Sequence, residues 1–388
     1  RGLSVRAASA PPWERGAFAR ALLAPLGLAW GAVVRARGIA FDAGWLRSEA
    51  IDVPVLSIGN LSVGGTGKTP AALWLGERLL ELGASPAIVS RGYGGDLGGR
   101  ILRAARPGDP AGEGFGDVSQ VGDEAVLLAG RFPGPVVCGV DRVAAARHAV
   151  RSFGADVVIL DDGFQHRRLA RRFDLVLVDG GVGLGGGRVL PAGPLREPPS
   201  ALRRADAIVV TKSESVPDAL ASELARRAPG VPVFAATLEP RCLVAAEGDD
   251  TVESPLAGLA GRTVVAVSGL ARADSFWETL DRLGARIVEV LEFPDHHAYS
   301  HEDWQRIGRA ARGADLVACT EKDLVKLRRF PFARGGLFAV RADFVPAPGA
   351  DRALVERIVE RAGLAVRLRG DEGRATPGSR RPARDAGT

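Results

Sequence analysis

The chain has few cysteines, and this excludes a domain held together by several disulfide bonds or by a cysteine-ligated zinc ion. Its 388 residues include only Cys138, Cys242 and Cys319, and no two of them form a C-x-x-C pair. Each lies in an apolar context such as P-V-V-C-G-V, so we expect reduced, buried thiols rather than a disulfide framework or a zinc site. This usage is typical of a cytosolic globular protein.

Lysine is nearly as scarce as cysteine. The 51 basic residues outnumber the 46 acidic ones by five, yet only four are lysines: Lys68, Lys212, Lys322 and Lys326. The arginine, alanine and glycine bias is typical of a GC-rich genome, and it makes each remaining lysine a candidate functional residue. No dense basic tract with interleaved aromatics is present, so the charge favours anionic substrates or an anionic membrane surface over nucleic acid.

The N-terminal region lacks an uncharged run of the roughly 20 residues that a spanning helix needs. Residues 21–34 form an uncharged run of 14, flanked by arginines and accompanied by Trp13 and Trp30, which are interfacial residue types. We interpret residues 1–50 as containing an amphipathic helix that lies on a membrane. The alternative is a helix packed against the core and broken at Pro25.

Apolar runs of strand length alternate with helical patterns along most of the chain. Runs that are apolar throughout indicate a parallel sheet covered on both faces, so we predict an α/β fold with a mostly parallel sheet and helices on both faces. We expect a second, smaller α/β domain after a β-hairpin-like linker. The predicted regions are the N-terminal apolar region (1–50), a nucleotide-binding domain (51–240), the linker (241–260), the smaller domain (261–366) and a disordered tail (367–388).

A glycine-rich turn, S-V-G-G-T-G-K-T-P at residues 62–70, stands between an apolar run and a helical pattern. Glycines let backbone N–H groups approach a ligand, and a helix start adds partial positive charge, so the turn suits nucleotide phosphates. The alternative is a glycine-rich turn with an incidental lysine, and Ser62 does stand where the first glycine of the usual motif belongs. The turn predicts a P-loop NTPase-type sheet that binds nucleotide through Gly64, Gly65, Thr66, Gly67, Lys68 and Thr69, with Lys212 as a further contact after a later strand.

Two carboxylates end another apolar run, V-V-I-L-D-D-G-F-Q-H-R-R at 157–168. Ligands of parallel α/β sheets bind at the carboxyl ends of the strands, where Asp161 or Asp162 could hold Mg²⁺ directly or through water. Thr69 would be a further metal ligand. The alternative is a pair of aspartates that cap a turn.

Three further motifs contain candidate catalytic groups. V-G-D-E-A places Asp123 at a helix start, where capping would be the simpler interpretation. F-P-D-H-H places His296 and His297 after a strand at no zinc-binding spacing, and an imidazole that orients or tunes a carboxylate base fits better. T-E-K-D-L-V-K-L places Lys322 and Asp323 at another strand end, which would face the same cleft if the sheets align.

Together these motifs resemble those of one family, the tetraacyldisaccharide 4′-kinases of the lipid A pathway in Gram-negative bacteria. The matching segments, in the family's order, are IGNLSVGGTGKTP, SRGYGG, VGDEA, DDGFQHR, LPAGPLREP, FPDHH and TEKDLVKL, and they cover about residues 50–330. The resemblance implies transfer of the γ-phosphoryl of ATP, with Mg²⁺, to the 4′-hydroxyl of a tetra-acylated disaccharide 1-phosphate, giving lipid IVA. It implies a peripheral position on the cytoplasmic face of the inner membrane, and we expect a monomer.

The resemblance also implies roles for individual residues. Asp123 would be the base on the hydroxyl, supported by His296 or His297, while Lys68 and the loop amides stabilise the developing charge. The candidates for binding the lipid substrate and its 1-phosphate are Arg91, Tyr93, Arg142, Gln165, His166, Arg167 and Arg196.

The rival interpretation is a P-loop switch ATPase or GTPase at a membrane surface. Switch ATPases of this type carry K-G-G-x-G-K-[ST], and here Val63 stands in place of the first lysine. The segment V-T-K-S-E is an imperfect match to the base-reading N-K-x-D of GTPases. Either version leaves Asp123 and the histidine pair without a role.

Overall fold

The computed structural model describes residues 12–14, 16–104, 115–247, 250–270, 273–332 and 336–364, and the predicted tail at 367–388 lies outside them. The strands are β1 (Val55–Asn60), β2 (Pro86–Ser90), β3 (Leu102–Ala104), β4 (Phe115–Gly116), β5 (Val136–Cys138), β6 (Val157–Asp161), β7 (Phe173–Asp179), β8 (Ala207–Thr211), β9 (Val233–Glu247), β10 (Asp250–Ser254), β11 (Thr263–Ser268), β12 (Arg286–Glu292), β13 (Leu316–Thr320) and β14 (Leu337–Pro346). The α-helices are α1 (Ala17–Asp42), α2 (Lys68–Glu81), α3 (Val118–Val121), α4 (Asp123–Arg131), α5 (Arg142–Phe153), α6 (Asp218–Arg227), α7 (Asp274–Arg282), α8 (His301–Ala310), α9 (Glu321–Leu327) and α10 (Ala350–Ala362).

The described strands form one open sheet in the order β12-β11-β13-β14-β9-β8-β7-β1-β6-β2-β5-β3-β4, with β10 paired to β9. From β9 through β5 in this order, every neighbouring pair is parallel. The pairs β12–β11, β11–β13 and β13–β14 are also parallel. The predicted α/β class with a mostly parallel sheet is confirmed.

Helices cover both faces of the sheet, which explains why its strands are apolar at every position. In β6, Val157 and Ile159 belong to the core beneath α2, α4 and α10. Val158 and Leu160 point the other way, into the core beneath α5. Successive side chains of a strand point to opposite faces, so a strand buried on both sides needs an unbroken apolar run.

The antiparallel pairing of β9 with β14 orients the two parallel strand sets. β9 pairs in parallel with β8 through residues 233–236 and antiparallel with β14 through residues 236–245. β9 continues past its pairing with β8, and the set β11–β14 pairs with that extension in the opposite direction. The carboxyl ends of this second set therefore point back toward the carboxyl ends of β1, β2 and β6–β8. β9 crosses the predicted boundary at residue 240, and the β9–β10 hairpin occupies part of the predicted linker, so the division into two domains stays a prediction.

The predicted end of one strand near the candidate active site was wrong. The sequence pattern extended a strand over 315–323, but β13 ends at Thr320 and α9 begins at the next residue. Thr320 caps that helix, because its side chain accepts a hydrogen bond from the Asp323 backbone N–H at 3.2 Å. Lys322 and Asp323 consequently lie in the first turn of a helix.

The N-terminal helix α1 continues through Pro25 for 26 residues, so the alternative of a helix broken there is wrong. Its buried residues are Gly27 and Gly31. At Gly27 an added Cβ would lie 2.9 Å from the Ala192 Cβ, so glycine permits the close approach of the helix. The helix is long and apolar enough to cross a membrane, with a mean hydropathy of 1.6 over 18 residues. It exposes Phe18, Leu22, Leu26, Leu28, Val33 and Ile39.

Candidate active site

A cleft of about 2450 Å³ lies between the carboxyl ends of the two strand sets. The first set contributes the glycine-rich turn and Asp161, and the second contributes Asp295, His296 and Lys322. Sites for one small ligand usually occupy about 300–1000 Å³, so this cleft has room for a nucleotide and a second substrate together.

The glycine-rich turn joins β1 to α2 and opens onto the cleft. Gly64 and Gly67 have φ values of 104° and 84°, which glycine adopts without strain. Lys68 Nζ lies 3.4 Å from Asn60 Oδ1 and 3.9 Å from Asp162 Oδ1. The helix start, the turn amides and the ammonium group thus form an anion site. The residues that line the cleft here include Gly64, Gly65, Thr66, Gly67, Lys68 and Thr69.

Asp161 and Asp162 end β6 beside this turn, in different environments. Asp161 is 3% exposed, and its Oδ1 has no hydrogen-bond partner within the described part of the chain. Burial, followed by the negative charges of Glu124 and Asp162, raises the pKa of Asp161 to about 7. A buried carboxyl with this surplus of negative charge fits a bound cation.

Asp162 is already neutralised by neighbouring cations. Its Oδ2 accepts a hydrogen bond from Arg196 Nη1 at 2.7 Å. Burial would raise the pKa of Asp162, but the charges of Lys68 and Arg196 outweigh it and lower that pKa. Among the residues that the structure describes, no group of three or more His, Cys, Asp or Glu side chains is arranged to hold a metal. Mg²⁺ is usually held by one or two carboxylates together with substrate phosphates and water, which is compatible with this edge.

Asp123 begins α4, directly before the cleft residue Glu124, and is 4% exposed. Its Oδ1 accepts a hydrogen bond from the Glu124 backbone N–H at 2.9 Å and lies 3.2 Å from His296 Nδ1. Its Oδ2 lies 3.0 Å from Lys326 Nζ. Burial would raise the pKa of Asp123, but the His296 hydrogen bond and the charges of Lys322 and Lys326 outweigh it and hold that pKa well below its usual range.

The structure separates the two histidines that the sequence left as equal candidates. His296 bonds to Asp123, packs edge-on against the Tyr93 ring, and has Nε2 3.2 Å from Lys322 Nζ. Because an ammonium group only donates, this contact fits an Nε2 lone pair, with the proton on Nδ1 directed to Asp123. His297 instead has Nε2 2.9 Å from Asp303 Oδ2, at the start of α8. The structure therefore does not bring His297 to Asp123, and its catalytic role stays a prediction.

Helix α9 contributes two lysines to which sequence reasoning assigned no catalytic or binding role. Lys322 Nζ lies 2.9 Å from Asp295 Oδ1 and 3.4 Å from Glu124 Oε1. Lys326, one turn later on the same face, contacts Asp123. The scarcity of lysine is the signal that could have found them: Lys68, Lys212 and Lys322 line the cleft, and Lys326 lies directly behind it.

Several predicted substrate-binding residues line the cleft: Arg91, Tyr93, Gln165, His166 and Arg196. Gln165 Nε2 donates to the Asn60 carbonyl at 2.9 Å, which places the amide beside the glycine-rich turn. Burial, followed by the charges of Arg142 and Arg171, lowers the pKa of His166 to about 4. This imidazole is therefore neutral at pH 7.

Three other predicted contacts have protein partners. Arg142 is 5% exposed, and its Nη1 donates to the carbonyls of Asp161 at 2.9 Å and Val89 at 3.3 Å, so it supports two strand ends. Arg167 donates to the Gly38 carbonyl at 2.9 Å and therefore contacts α1. Lys212 Nζ donates to Asp179 Oδ2 at 2.8 Å. Their roles in ligand binding stay predictions.

Comparisons with known proteins identify a family. A family model described as tetraacyldisaccharide-1-P 4′-kinase matches residues 19–359. A tetraacyldisaccharide 4′-kinase of Anaeromyxobacter dehalogenans (strain 2CP-C) is 42% identical over 349 residues, covering 88% of this chain and 90% of its own. One from Chromobacterium violaceum is 42% identical over 313 residues, covering 80% and 84%.

A solved structure agrees with these relatives. The crystal structure described as the "apo" form of LpxK from Aquifex aeolicus in complex with ATP is 32% identical, with a TM-score of 0.70. The match covers 88% of this chain and 99% of the Aquifex chain. The resemblance inferred from the motifs is confirmed, and so is the predicted enzyme class. The chain belongs to the tetraacyldisaccharide 4′-kinase family.

Proposed function

We propose that this 4′-kinase uses ATP as phosphoryl donor and that transfer takes place in the cleft between the two strand sets. The observation that carries the proposal is that the glycine-rich turn and His296, which contacts Asp123, line the same cleft. The ATP complex of the Aquifex relative supports ATP as the donor. The acceptor is the tetra-acylated disaccharide 1-phosphate of the family. We further propose that the enzyme acts as a monomer.

Phosphoryl transfer depends on in-line positioning and charge neutralisation more than on covalent catalysis. Lys68 and the amides of the turn would hold the β- and γ-phosphates. Asp161, which is buried and unpaired, and the Thr69 hydroxyl would hold Mg²⁺, and Asp162 would keep Lys68 and Arg196 in place. Mg²⁺, when bound, supplies charge neutralisation at the phosphate oxygens.

The Asp123–His296 pair would accept the proton of the 4′-hydroxyl. The sequence placed Asp123 itself on the hydroxyl, but its carboxylate is buried, whereas His296 lines the cleft. We therefore assign the atom that meets the hydroxyl to His296 Nε2. When the acceptor binds, Lys322 would leave this nitrogen and keep its contacts with Asp295 and Glu124. Asp123 would fix the tautomer and stabilise the imidazolium that forms, as carboxylates do in other Asp–His pairs.

One assay tests this function against the switch alternative. Purified protein is incubated with Mg-ATP, with and without the tetra-acylated disaccharide 1-phosphate, and both ADP and the lipid products are resolved. We expect one 4′-phosphorylated lipid per ADP and little ADP without acceptor. ADP formation that continues without a phosphorylated lipid would contradict the proposal and support a switch ATPase.

We also propose that α1 docks peripherally on the cytoplasmic face of the inner membrane, where the acyl chains lie. The triple variant Phe18→Ser, Leu22→Ser and Leu26→Ser removes exposed apolar area without touching the buried Gly27 face. We expect much weaker co-sedimentation with anionic vesicles, while turnover of detergent-dispersed acceptor is kept. Val288→Ser, an exposed apolar position on β12, is the matched control. Unchanged vesicle binding by the triple variant would contradict docking through α1.

The environment of Asp161 predicts proton release on nucleotide binding. Because the pKa of this carboxyl is raised to about 7, it is partly protonated at neutral pH, and a cation would displace the proton. Calorimetry with Mg²⁺ and a non-hydrolysable ATP analogue, in buffers of different ionisation enthalpy, should show more proton release at pH 7 from wild type than from Asp161→Asn. Equal release from both proteins would contradict the assignment.

The same shift has a consequence for stability. A carboxyl whose folded pKa exceeds its unfolded value favours folding at low pH, and that contribution is lost as pH rises from about 4 through about 7. Without metal, Asp161→Asn should therefore raise the melting temperature at pH 8 and do so much less at pH 5. Thermal melts in a chelator measure the difference, and a larger gain at pH 5 would contradict it.

A further inference from the structure

We infer that Lys326 is a positioning residue of the proton-accepting pair: it holds Asp123 as a carboxylate and fixes the direction in which that carboxylate meets His296. This inference rests on the proposed role of the Asp123–His296 pair.

The first observation is the contact itself. Lys326 Nζ lies 3.0 Å from Asp123 Oδ2, while His296 Nδ1 lies 3.2 Å from Oδ1. One oxygen of the carboxylate thus contacts the imidazole and the other forms an ion pair with the ammonium group, and these two groups are 30 residues apart in the chain. Lys326 is only 8% exposed, although lysine side chains normally keep their ammonium group in water.

The second observation is that Lys326 also contacts Asp323 and the Tyr299 ring, on its side away from the cleft. Its Nζ lies 3.7 Å from Asp323 Oδ1 and 5.5 Å from the centre of the Tyr299 ring. Asp323 is fully buried and accepts hydrogen bonds from the Gly269 backbone N–H, the Tyr299 hydroxyl and the Thr320 hydroxyl, at 2.9, 2.9 and 2.7 Å. These donors fix Asp323 to the second strand set. The Lys326 ammonium group therefore lies between this fixed carboxylate and Asp123.

Stability alone does not account for this arrangement. Two buried carboxylates share one buried ammonium group. For buried ion pairs, the free energy lost on removing the charges from water often exceeds the free energy gained from their attraction. Apolar side chains of similar volume would fill the space at lower cost. The arrangement does have a chemical use, because an adjacent cation keeps a buried carboxylate ionised and thereby able to stabilise an imidazolium.

The charge around Asp123 comes from every element packed against it. The loop after β12 brings Asp295 and His296, α9 brings Lys322, Asp323 and Lys326, and α4 itself brings Glu124. Lys322 is partly neutralised by Asp295 and Glu124, its nearer carboxylates. Removing Lys326 would therefore reduce the positive charge next to Asp123. As a result, the apparent pKa of the Asp123–His296 pair would rise.

The test is the pH profile of kcat/KM for the lipid acceptor in Lys326→Met. We expect the acid limb to move to higher pH by about one unit or more, because an opposite charge within ~4–6 Å shifts a pKa by about 1–3 units. The KM for ATP should stay within about twofold, since Lys326 does not contact the glycine-rich turn. Arg352→Met, which removes a positive charge from exposed α10, is the matched control and should leave the profile unchanged. A wild-type acid limb in Lys326→Met would overturn the inference.

Two further measurements keep the inference testable if that variant does not fold. Lys326→Gln retains a donor for Asp123 without the charge, and its acid limb should also move. In the wild-type protein, a ¹³C carboxyl titration, with the Asp123 signal assigned from Asp123→Asn, should find Asp123 ionised well below the usual aspartate range. A normal aspartate titration would overturn the inference. Full activity of Asp123→Asn would instead refute the proposed pair, whereas an inactive Asp123→Asn beside an unmoved Lys326→Met profile would refute only the role of Lys326.

Discussion

Replacing Lys68 with alanine is expected to lower kcat by about 10³-fold or more. A fixed cation at the transferred phosphoryl group is worth about this much in related reactions, because it opposes charge that develops in the transition state. Lys68 is the first residue of α2 and lies near Asn60 and Asp162, so it is held at the helix start where the phosphates would bind. Rates of lipid phosphorylation at saturating ATP and acceptor measure the effect.

The matched control for Lys68→Ala is Arg352→Ala, because each of the four lysines of this chain lies at the site. Arg352 lies on α10, is largely exposed and forms an ion pair with Glu356 one turn later. The control should keep wild-type kcat, and the melting temperature of Lys68→Ala should confirm that it is folded. Near-wild-type turnover by folded Lys68→Ala would remove the phosphate-binding assignment of the turn.

Replacing Asp123 with asparagine is expected to lower kcat by about 10²-fold or more while leaving the KM for ATP nearly unchanged. Asparagine keeps the shape and an oxygen that can accept the Glu124 backbone N–H, but it carries no charge to stabilise an imidazolium on His296. The contacts that the structure gives Asp123 are with Glu124, His296 and Lys326 and not with the glycine-rich turn, which is why nucleotide affinity should persist. Initial rates at varied ATP and acceptor separate kcat from KM.

The competing interpretation of Asp123 is a helix-capping residue. The N-cap of α4 is Gly122, and Asp123 is the first residue inside the helix. Its Oδ1 does accept the Glu124 backbone N–H, so loss of structure must still be distinguished from loss of chemistry. Asp218→Asn, at the exposed start of α6, is the control for removing a first-turn carboxylate from a helix and should have no effect on rate. If Asp123→Asn is unfolded at the assay temperature, capping is its main role. If it is folded and fully active, the pair has no catalytic role.

The sequence predicted local features well wherever one short segment determines them. β6 was recognisable because burial on both faces demands an unbroken apolar run. The glycine-rich turn was recognisable because its chemistry is contained in consecutive residues. Even the start of α4 was correct within one residue, at Asp123.

Features that depend on distant residues could not be predicted in the same way. The contact of Asp123 with His296 joins residues 173 positions apart, and only the antiparallel β9–β14 pair brings them together. The choice between His296 and His297 depends on where α8 begins, because Asp303 in its first turn binds the second imidazole. The role of Lys326 was hidden for a further reason: at helical spacing beside leucines, it looks like any solvated lysine until its burial is known.

The opposed strand sets explain how the chemistry follows from the fold. Carboxyl ends of parallel strands gather polar groups at one edge of a sheet. Because β9 and β14 are antiparallel, the second set presents its own carboxyl edge to the first, and one cleft receives loops from both. The phosphate-binding turn of the first set and His296 of the second thereby line one cleft, as transfer between two substrates requires.

The most direct test of this account is a crystal structure of the protein with Mg²⁺, a non-hydrolysable ATP analogue and the lipid acceptor. The account predicts the triphosphate on the turn at 64–69, the metal about 2.1 Å from an oxygen of Asp161, and the acceptor 4′-oxygen within about 3.2 Å of His296 Nε2. A triphosphate bound away from the turn, or a 4′-hydroxyl directed away from the Asp123–His296 pair with the γ-phosphoryl in place, would contradict it.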